Sequence, residues 1–125
     1  MLSNDRQQRY RELREQLEEL RHQGEGDSLE IATLKTGVDR AQQFLQSQVL
    51  PVSISGLNSA EESRTQSYHT ELHKQLRLLA TDVLFLGSAR QASTRQQRQA
   101  QIRDRLTTLL RYCDILLEED SRPAE

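Results

Sequence analysis

Residues 59–86 read SAEESRTQSYHTELHKQLRLLATDVLFL, and this stretch decides the fold because its apolar side chains form two stripes along one helix. The first stripe advances in steps of three and four residues, the spacing of a helix face that packs on a core. It consists of Thr65, Tyr68, Leu72, Leu76, Leu79, Val83 and Leu86. Leu78 and Phe85 lie one heptad apart on roughly the opposite side of the helix. A bundle helix needs only one apolar stripe, so the second must be covered by another part of the chain, another copy of it or a partner.

The composition fits a single all-helical domain over residues 1–125. Hydrophobic residues make up 34% of the chain and charged residues 29%, which is usual for amphipathic helices with solvated outer faces. Only five glycines and two prolines interrupt the chain, and strand-forming aromatic runs are absent. The net charge of -2 gives no overall attraction to nucleic acid or to acidic membranes.

Four helices are predicted, over residues 4–22, 28–48, 59–86 and 93–119, followed by a frayed tail at 120–125. Each helix carries an apolar face with steps of three and four residues. Short loops join the first helix to the second and the third to the fourth, which favours antiparallel neighbours. The sequence therefore predicts an all-α antiparallel four-helix bundle. Its longer helix 3–helix 4 hairpin is expected to project beyond the other helices at one end.

Polar residues at capping positions are expected to mark the helix starts. They are Asp27 or Ser28 for the second helix, Ser59 with Glu62 for the third, and Ser93 with Gln96 for the fourth. Pro51 and Gly56 break the helix between the second and third elements. The intervening crossover, residues 50–58, is expected to be extended, with Val52 and Ile54 covering one end of the bundle.

Arginines stand at core-facing positions at the start of the fourth helix. The apolar stripe of this helix, extrapolated back from Ile102, reaches Arg98 and Arg95. Arginines cannot be buried unpaired without a large free-energy cost, so either the core stops there or an acid meets them. Antiparallel pairing of the last two helices makes Asp82 the candidate acid.

The end of the helix 3–helix 4 hairpin combines apolar, aromatic and arginine side chains, the composition of a protein-binding hot spot. Leu84 belongs to the same end. The residues predicted to bind a partner are Leu78, Phe85, Arg90, Arg95 and Arg98. In the competing interpretation, the first two helices cover Leu78 and Phe85, and the arginines form a solvated face.

The arginine content of this region raises nucleic-acid binding as an alternative function. Asp104 is the one acid among six arginines, Arg90, Arg95, Arg98, Arg103, Arg105 and Arg111. Such a helix could contact phosphates, but no aromatic residues stand between the arginines and no recognition motif is present. The sequence therefore favours a solvated face or docking to an acidic protein. A purely structural helical oligomer is the other alternative.

No catalytic, cofactor or metal site is predicted. His69 and His73 have the spacing of a shared metal, but Thr70 stands where the zinc-protease motif needs a glutamate. Cys113 occupies a core position, without the electropositive surroundings that a nucleophile needs. An enzyme is therefore not expected. The single cysteine, the polar start of the chain and the lack of a long apolar run predict a cytoplasmic protein with no membrane span.

Three segments of the C-terminal half carry a family resemblance: KQLRLLATDVLFL (74–86), SARQ (88–91) and RQAQIRDRLTTLLRYC (98–113). Through them, residues 68–117 resemble the cyanobacterial heterocyst frequency control protein PatD family, while the N-terminal half is similar only in pattern and length. The resemblance implies a small all-helical cytoplasmic regulator of how many cells become nitrogen-fixing heterocysts. It also implies binding to the tubulin-like division protein FtsZ and altered assembly of FtsZ filaments.

The resemblance and the residue pattern lead to one hypothesis about binding. FtsZ-type proteins are acidic, so an arginine-rich face would suit them, although no FtsZ-contacting residues carry over from the family. Leu78 and Phe85 are expected to form a dimer or partner seam, while Arg90, Arg95 and Arg98 meet an acidic surface. Bridging filaments requires two binding sites per particle, which a homodimer would provide by symmetry. Because the family also occurs in unicellular cyanobacteria, the chain need not act in differentiation.

Overall fold

Four α-helices are present in the computed structural model, which describes residues 2–25, 29–51 and 57–120. They are α1 (Leu2–Gln23), α2 (Ile31–Phe44), α3 (Ser59–Ser88) and α4 (Ala92–Asp120). α2 continues directly into a π-helical segment over Leu45–Val49. No strand occurs within these described ranges, so the predicted all-α class and the helical bundle are confirmed.

The helices pack as an antiparallel ring in which α1 contacts α2 and α4, and α3 contacts the same two helices. Contacts that cross from one helix to the next show the direction. Arg14 pairs with Asp114, and Gln99 Nε2 donates to the carbonyl oxygen of Gly24 at 3.1 Å. Residue numbers therefore rise along α4 as they fall along α1, and the other neighbouring helices pack in the same sense.

Apolar side chains from all four helices meet in one core, as the stripes predict. The largest fully buried ones are Leu13, Leu17, Leu20, Leu34, Leu45, Leu72, Leu76, Leu79, Ile102, Leu106, Leu109 and Leu116. Burying one leucine contributes about 2 kcal/mol, so these stripes dominate the stability of the bundle. On α3 the predicted stripe is wrong at one position, because Tyr68 is only partly buried and His69 takes the inward place.

The N-cap of α3 is Asn58, one residue earlier than predicted. Asn58 Oδ1 accepts from the Glu61 amide at 2.8 Å, and the Asn58 amide donates to Glu61 Oε1 at 3.0 Å. This capping box replaces the expected one of Ser59 with Glu62. Both pairs have the required spacing and asparagine caps as well as serine does, so the sequence pattern does not distinguish them.

The starts of α2 and α4 also differ from prediction. α2 begins at Ile31 with Glu30 at the N-cap position and no side-chain cap, three residues later than expected. Asp27 and Ser28, the predicted caps, lie outside the described residues. In α4 the Arg95 amide already donates to the Gln91 carbonyl oxygen at 3.0 Å. Ser93 is therefore inside the first turn, and the capping box predicted for it is wrong.

The α3–α4 hairpin is longer than the first two helices, as predicted: α3 has 30 residues and α4 has 29, against 22 in α1. The Gln99–Gly24 hydrogen bond sets the end of α1 level with Gln99, so the start of α4 projects about 10 Å beyond it. α2 still reaches the hairpin, since a Cβ atom on Gly87 would lie 3.2 Å from Ile31 Cγ2. The hairpin thus projects past α1 but is flanked by α2.

Two predicted segments fall mainly outside the described residues. Val52 and Ile54 of the crossover are not among them, and neither are residues 121–125 of the expected tail. Asp120, which was assigned to that tail, is the last residue of α4.

Candidate protein-interaction surface

The outward face of α3 exposes large apolar side chains. Leu78 is 37% exposed and Phe85 is 48% exposed. They lie seven residues apart, about two helical turns along the same face. Because α1 and α2 leave both side chains open to solvent, the competing interpretation in which those helices cover this stripe is wrong.

Phe85 and Arg98 are in contact across the hairpin. The Arg98 Cζ atom lies 4.7 Å from the centroid of the Phe85 ring, which is cation–π geometry. The antiparallel register of α3 and α4 brings the two residues level with each other. The guanidinium is rich in N–H donors, and no described carboxylate accepts from them. The pair therefore presents an aromatic surface and hydrogen-bond donors side by side.

The five residues predicted to bind a partner, Leu78, Phe85, Arg90, Arg95 and Arg98, are called the hairpin patch below. The structure brings Phe85 and Arg98 together and places Leu78 farther down the same face of α3. Arg90 is exposed in the turn after α3, and Arg95 is exposed in the first turns of α4. Leu84, 57% exposed, lies about 100° around the helix from Phe85 and is therefore outside the patch.

The patch arginines have no acidic partner within the described part of the chain. The expectation that Asp82 meets Arg95 or Arg98 is wrong. Asp82 instead lies farther along the seam and accepts from Arg105 Nε at 2.5 Å, while Arg105 Nη1 donates to Gln75 Oε1 at 3.0 Å.

Of the two alternatives that the sequence left open, the first is correct: the hydrophobic core stops before Arg98 and Arg95. Ile102 is the first buried residue of α4, Arg98 is half-buried and Arg95 is exposed. Since α1 ends level with Gln99, none of the described helices covers this part of α4 from that side. Arg95 therefore faces solvent and Arg98 is partly open to it, so their charges keep contact with water and a partner with carboxylates could pair with them.

The histidine pair is split between the core and its edge. His69 is buried, and its Nε2 lies 2.8 Å from the Tyr10 hydroxyl of α1, with the two rings packed edge to face. Burial lowers the pKa of His69. His73 is only partly buried. Within the described residues, no group of three or more His, Cys, Asp or Glu side chains is placed to hold a metal ion.

Cys113 has the surroundings of a core residue. Its side chain is fully buried, and burial raises the pKa of the thiol to about 12, with the Asp114 carboxylate acting in the same direction. A thiol with such a pKa is almost entirely protonated at neutral pH and is a poor nucleophile.

A groove between α1 and α2 was not predicted. It is open to solvent and has a volume of about 1100 Å³, and its α1 wall carries Glu12, Glu15 and Glu19. The two helices approach closely at Gly37, where a Cβ atom would lie 2.5 Å from Leu20 Cδ2. The available signal was the glutamate spacing on α1 together with a glycine in the middle of α2. Neither pattern alone indicates that the two meet.

Comparisons with known proteins give no relative for this chain: no family model matches it, and no curated protein or solved structure is significantly similar. None of the described helices combines the length and apolar character needed to cross a membrane.

Proposed function

We propose that the protein is an interaction module that binds an acidic protein surface through the hairpin patch. The observation that carries the proposal is the half-exposed Phe85 ring with the Arg98 guanidinium carbon 4.7 Å from its centroid. Aromatic and arginine side chains dominate the energetics of protein interfaces, because they combine large contact area with directional hydrogen bonds.

An acidic protein fits this patch better than a nucleic acid does. Arg90, Arg95 and Arg98 offer donors that no described carboxylate satisfies, so either partner could supply their acceptors. Leu78 and Phe85 need an apolar counterpart as well. A phosphate backbone provides charge but no apolar surface, whereas a protein surface can provide both.

The partner proposed is FtsZ, and the proposed effect is a change in the assembly of its filaments in the cytoplasm of a cyanobacterium. This part of the proposal comes from the resemblance of residues 68–117 to the PatD family. The whole hairpin patch falls inside that stretch of sequence. The acidic character of FtsZ-type proteins suits the arginines of the patch.

A role without catalysis is part of the proposal. Two reactive side chains are engaged in the core, since Cys113 is a buried protonated thiol and His69 is buried against Tyr10. Neither side chain is accessible to a substrate in this arrangement.

The test is co-sedimentation of the purified protein with polymerising FtsZ from the same cell. Wild-type protein should pellet with the filaments, and Phe85→Ala should reduce the pelleted fraction strongly. The double variant Arg95→Glu/Arg98→Glu should abolish pelleting. All variants should keep the helical circular-dichroism spectrum of the wild type, because the altered side chains lie outside the core.

A matched control carries the same change in charge as Arg95→Glu/Arg98→Glu, at residues that do not belong to the patch. Arg77→Glu/Arg111→Glu reverses two arginines that are exposed on α3 and α4 and have no described ion pair. It should pellet like the wild type. If both patch variants pellet as well as the control does, the patch is not the binding site. If the wild type fails to pellet at any salt concentration, FtsZ is not the partner.

A further inference from the structure

The α1–α2 groove is chemically the complement of the hairpin patch. Its walls carry three glutamates and one arginine, Arg40, with Phe44 contributing apolar surface. Glu12 already pairs with Arg9 at 3.3 Å. Glu15 forms no hydrogen bond or ion pair within the described residues, and Arg40 does not neutralise it. A ligand that fits this groove must therefore bring positive charge and some apolar surface.

Unsatisfied acceptors in the groove point the same way. The Oε1 atoms of Gln16 and Gln23, both in side chains that line the groove, are covered from solvent and lack a hydrogen-bond donor. Buried acceptors without donors are costly, so a ligand whose N–H groups reached either oxygen would gain binding free energy. A guanidinium is rich in such groups and carries no acceptor.

The hairpin patch, within the described residues, has both properties, so a second copy can supply the occupant. A two-fold dimer built patch to patch would place the arginines of both copies against each other, and like charges in contact oppose association. A patch-to-groove contact instead joins arginines to glutamates. The spacing is also similar, because Arg95 and Arg98 are separated by three residues and Glu15 and Glu19 by four, about 4.5 Å and about 6 Å along their helices.

We propose that the α1–α2 groove binds the hairpin patch of a second copy, giving head-to-tail oligomers. Such a contact joins two different surfaces, so it leaves one groove and one patch free at the two ends of each open oligomer. The consequence for partner binding rests on the proposed function. Self-association hides every patch but one, so each oligomer can engage an acidic partner only once.

The proposal is tested by sedimentation velocity of the full chain over a concentration series at low ionic strength. The wild type should show a mass that rises with concentration. Two variants should stay monomeric or associate about tenfold more weakly: the patch variant Arg95→Glu/Arg98→Glu and the groove variant Glu15→Lys/Glu19→Lys. Mixing these two variants should restore association, because the mixture contains one intact patch and one intact groove.

A control variant and three outcomes decide between the possibilities. Asp39→Lys/Glu62→Lys carries the same charge change at exposed positions outside the groove and should associate like the wild type. A groove variant that self-associates normally would indicate a patch-to-patch dimer and overturn the proposal. So would a mixture that stays monomeric, or a wild type that remains monomeric throughout.

The proposed function and this inference fail separately. Self-association is measured without any partner protein, whereas the groove variant retains its whole patch and can be pelleted with FtsZ. A groove variant that pellets while the wild type shows no self-association would sink only the head-to-tail contact. Concentration-dependent mass without any pelleting would leave that contact standing and remove FtsZ as the partner.

Discussion

Breaking the Asp82–Arg105 pair one side at a time should show how strongly the α3–α4 seam depends on a charge pair. The Asp82 side chain is 8% exposed and the Arg105 side chain 15% exposed. Arg105 also donates to Gln75 Oε1 at 3.0 Å. The two ions are thus mostly removed from water, and each relies on the other for its strongest interaction.

The expected costs differ between the two partners. Removing one member of a buried pair costs roughly 3–5 kcal/mol, because the other charge stays buried. Asp82→Leu leaves Arg105 with Gln75 and an edge open to water, so its cost should be near the lower value, about 3 kcal/mol. Arg105→Met leaves the less exposed Asp82 carboxylate without its donor, so its cost should be near about 5 kcal/mol. The double variant Asp82→Leu/Arg105→Met should be as stable as the wild type or more stable, because neither charge remains.

Urea unfolding followed by circular dichroism measures these free energies. The matched control is the Arg14–Asp114 pair, whose side chains are 37% and 55% exposed, and Arg14→Met should cost less than about 1 kcal/mol. The reasoning is refuted if Arg105→Met costs no more than this control. It is also refuted if the double variant is as unstable as Arg105→Met alone, since the loss would then come from packing rather than from an unpaired charge.

Three further predictions concern the core and one helix start. Burial lowers the pKa of His69, so the unfolded chain binds a proton at this residue more readily than the folded chain does. The free energy of unfolding should therefore fall as the pH drops below about 6.5. Urea unfolding at a series of pH values should show this dependence for the wild type and not for His69→Gln. Burial raises the pKa of the Cys113 thiol to about 12, so the thiol should not react with iodoacetamide at mildly alkaline pH until urea unfolds the protein. Rapid alkylation of the folded protein would contradict this burial. Asn58→Ala should cost about 1 kcal/mol in thermal unfolding and Ser59→Ala much less, whereas equal costs would contradict a cap at Asn58.

The sequence was sufficient for the class of the fold because each helix carries its own apolar stripe. Such stripes depend only on spacing along one element, so helix existence and inward faces could be predicted. Helix starts were less certain because Asn58 with Glu61 and Ser59 with Glu62 satisfy the same capping rule. The exposure of Leu78 and Phe85 was also predictable in part, since no remaining apolar stripe was available to cover a second face of α3.

Contacts between helices were beyond the sequence for a different physical reason. Whether Asp82 meets Arg98 or Arg105 depends on the axial register of α3 against α4, and a shift of two helical turns separates the two outcomes. The α1–α2 groove depends further on how closely two helices approach at Gly37. A pattern along one helix does not contain either distance.

Although the net charge is only -2, the molecule has two surfaces of opposite charge. Salt should affect association through these surfaces more than it affects the free energy of unfolding. The hairpin patch presents arginines at one end of the α3–α4 pair, and the groove presents glutamates along α1. Partner binding and self-association both use exposed charges, which salt screens over about 10 Å at 0.1 M. The Asp82–Arg105 pair is buried and is screened much less. Raising salt should therefore weaken both associations together while leaving the free energy of unfolding nearly constant. A parallel loss of folding stability would mean that exposed charges hold the bundle together, contrary to the apolar core described above.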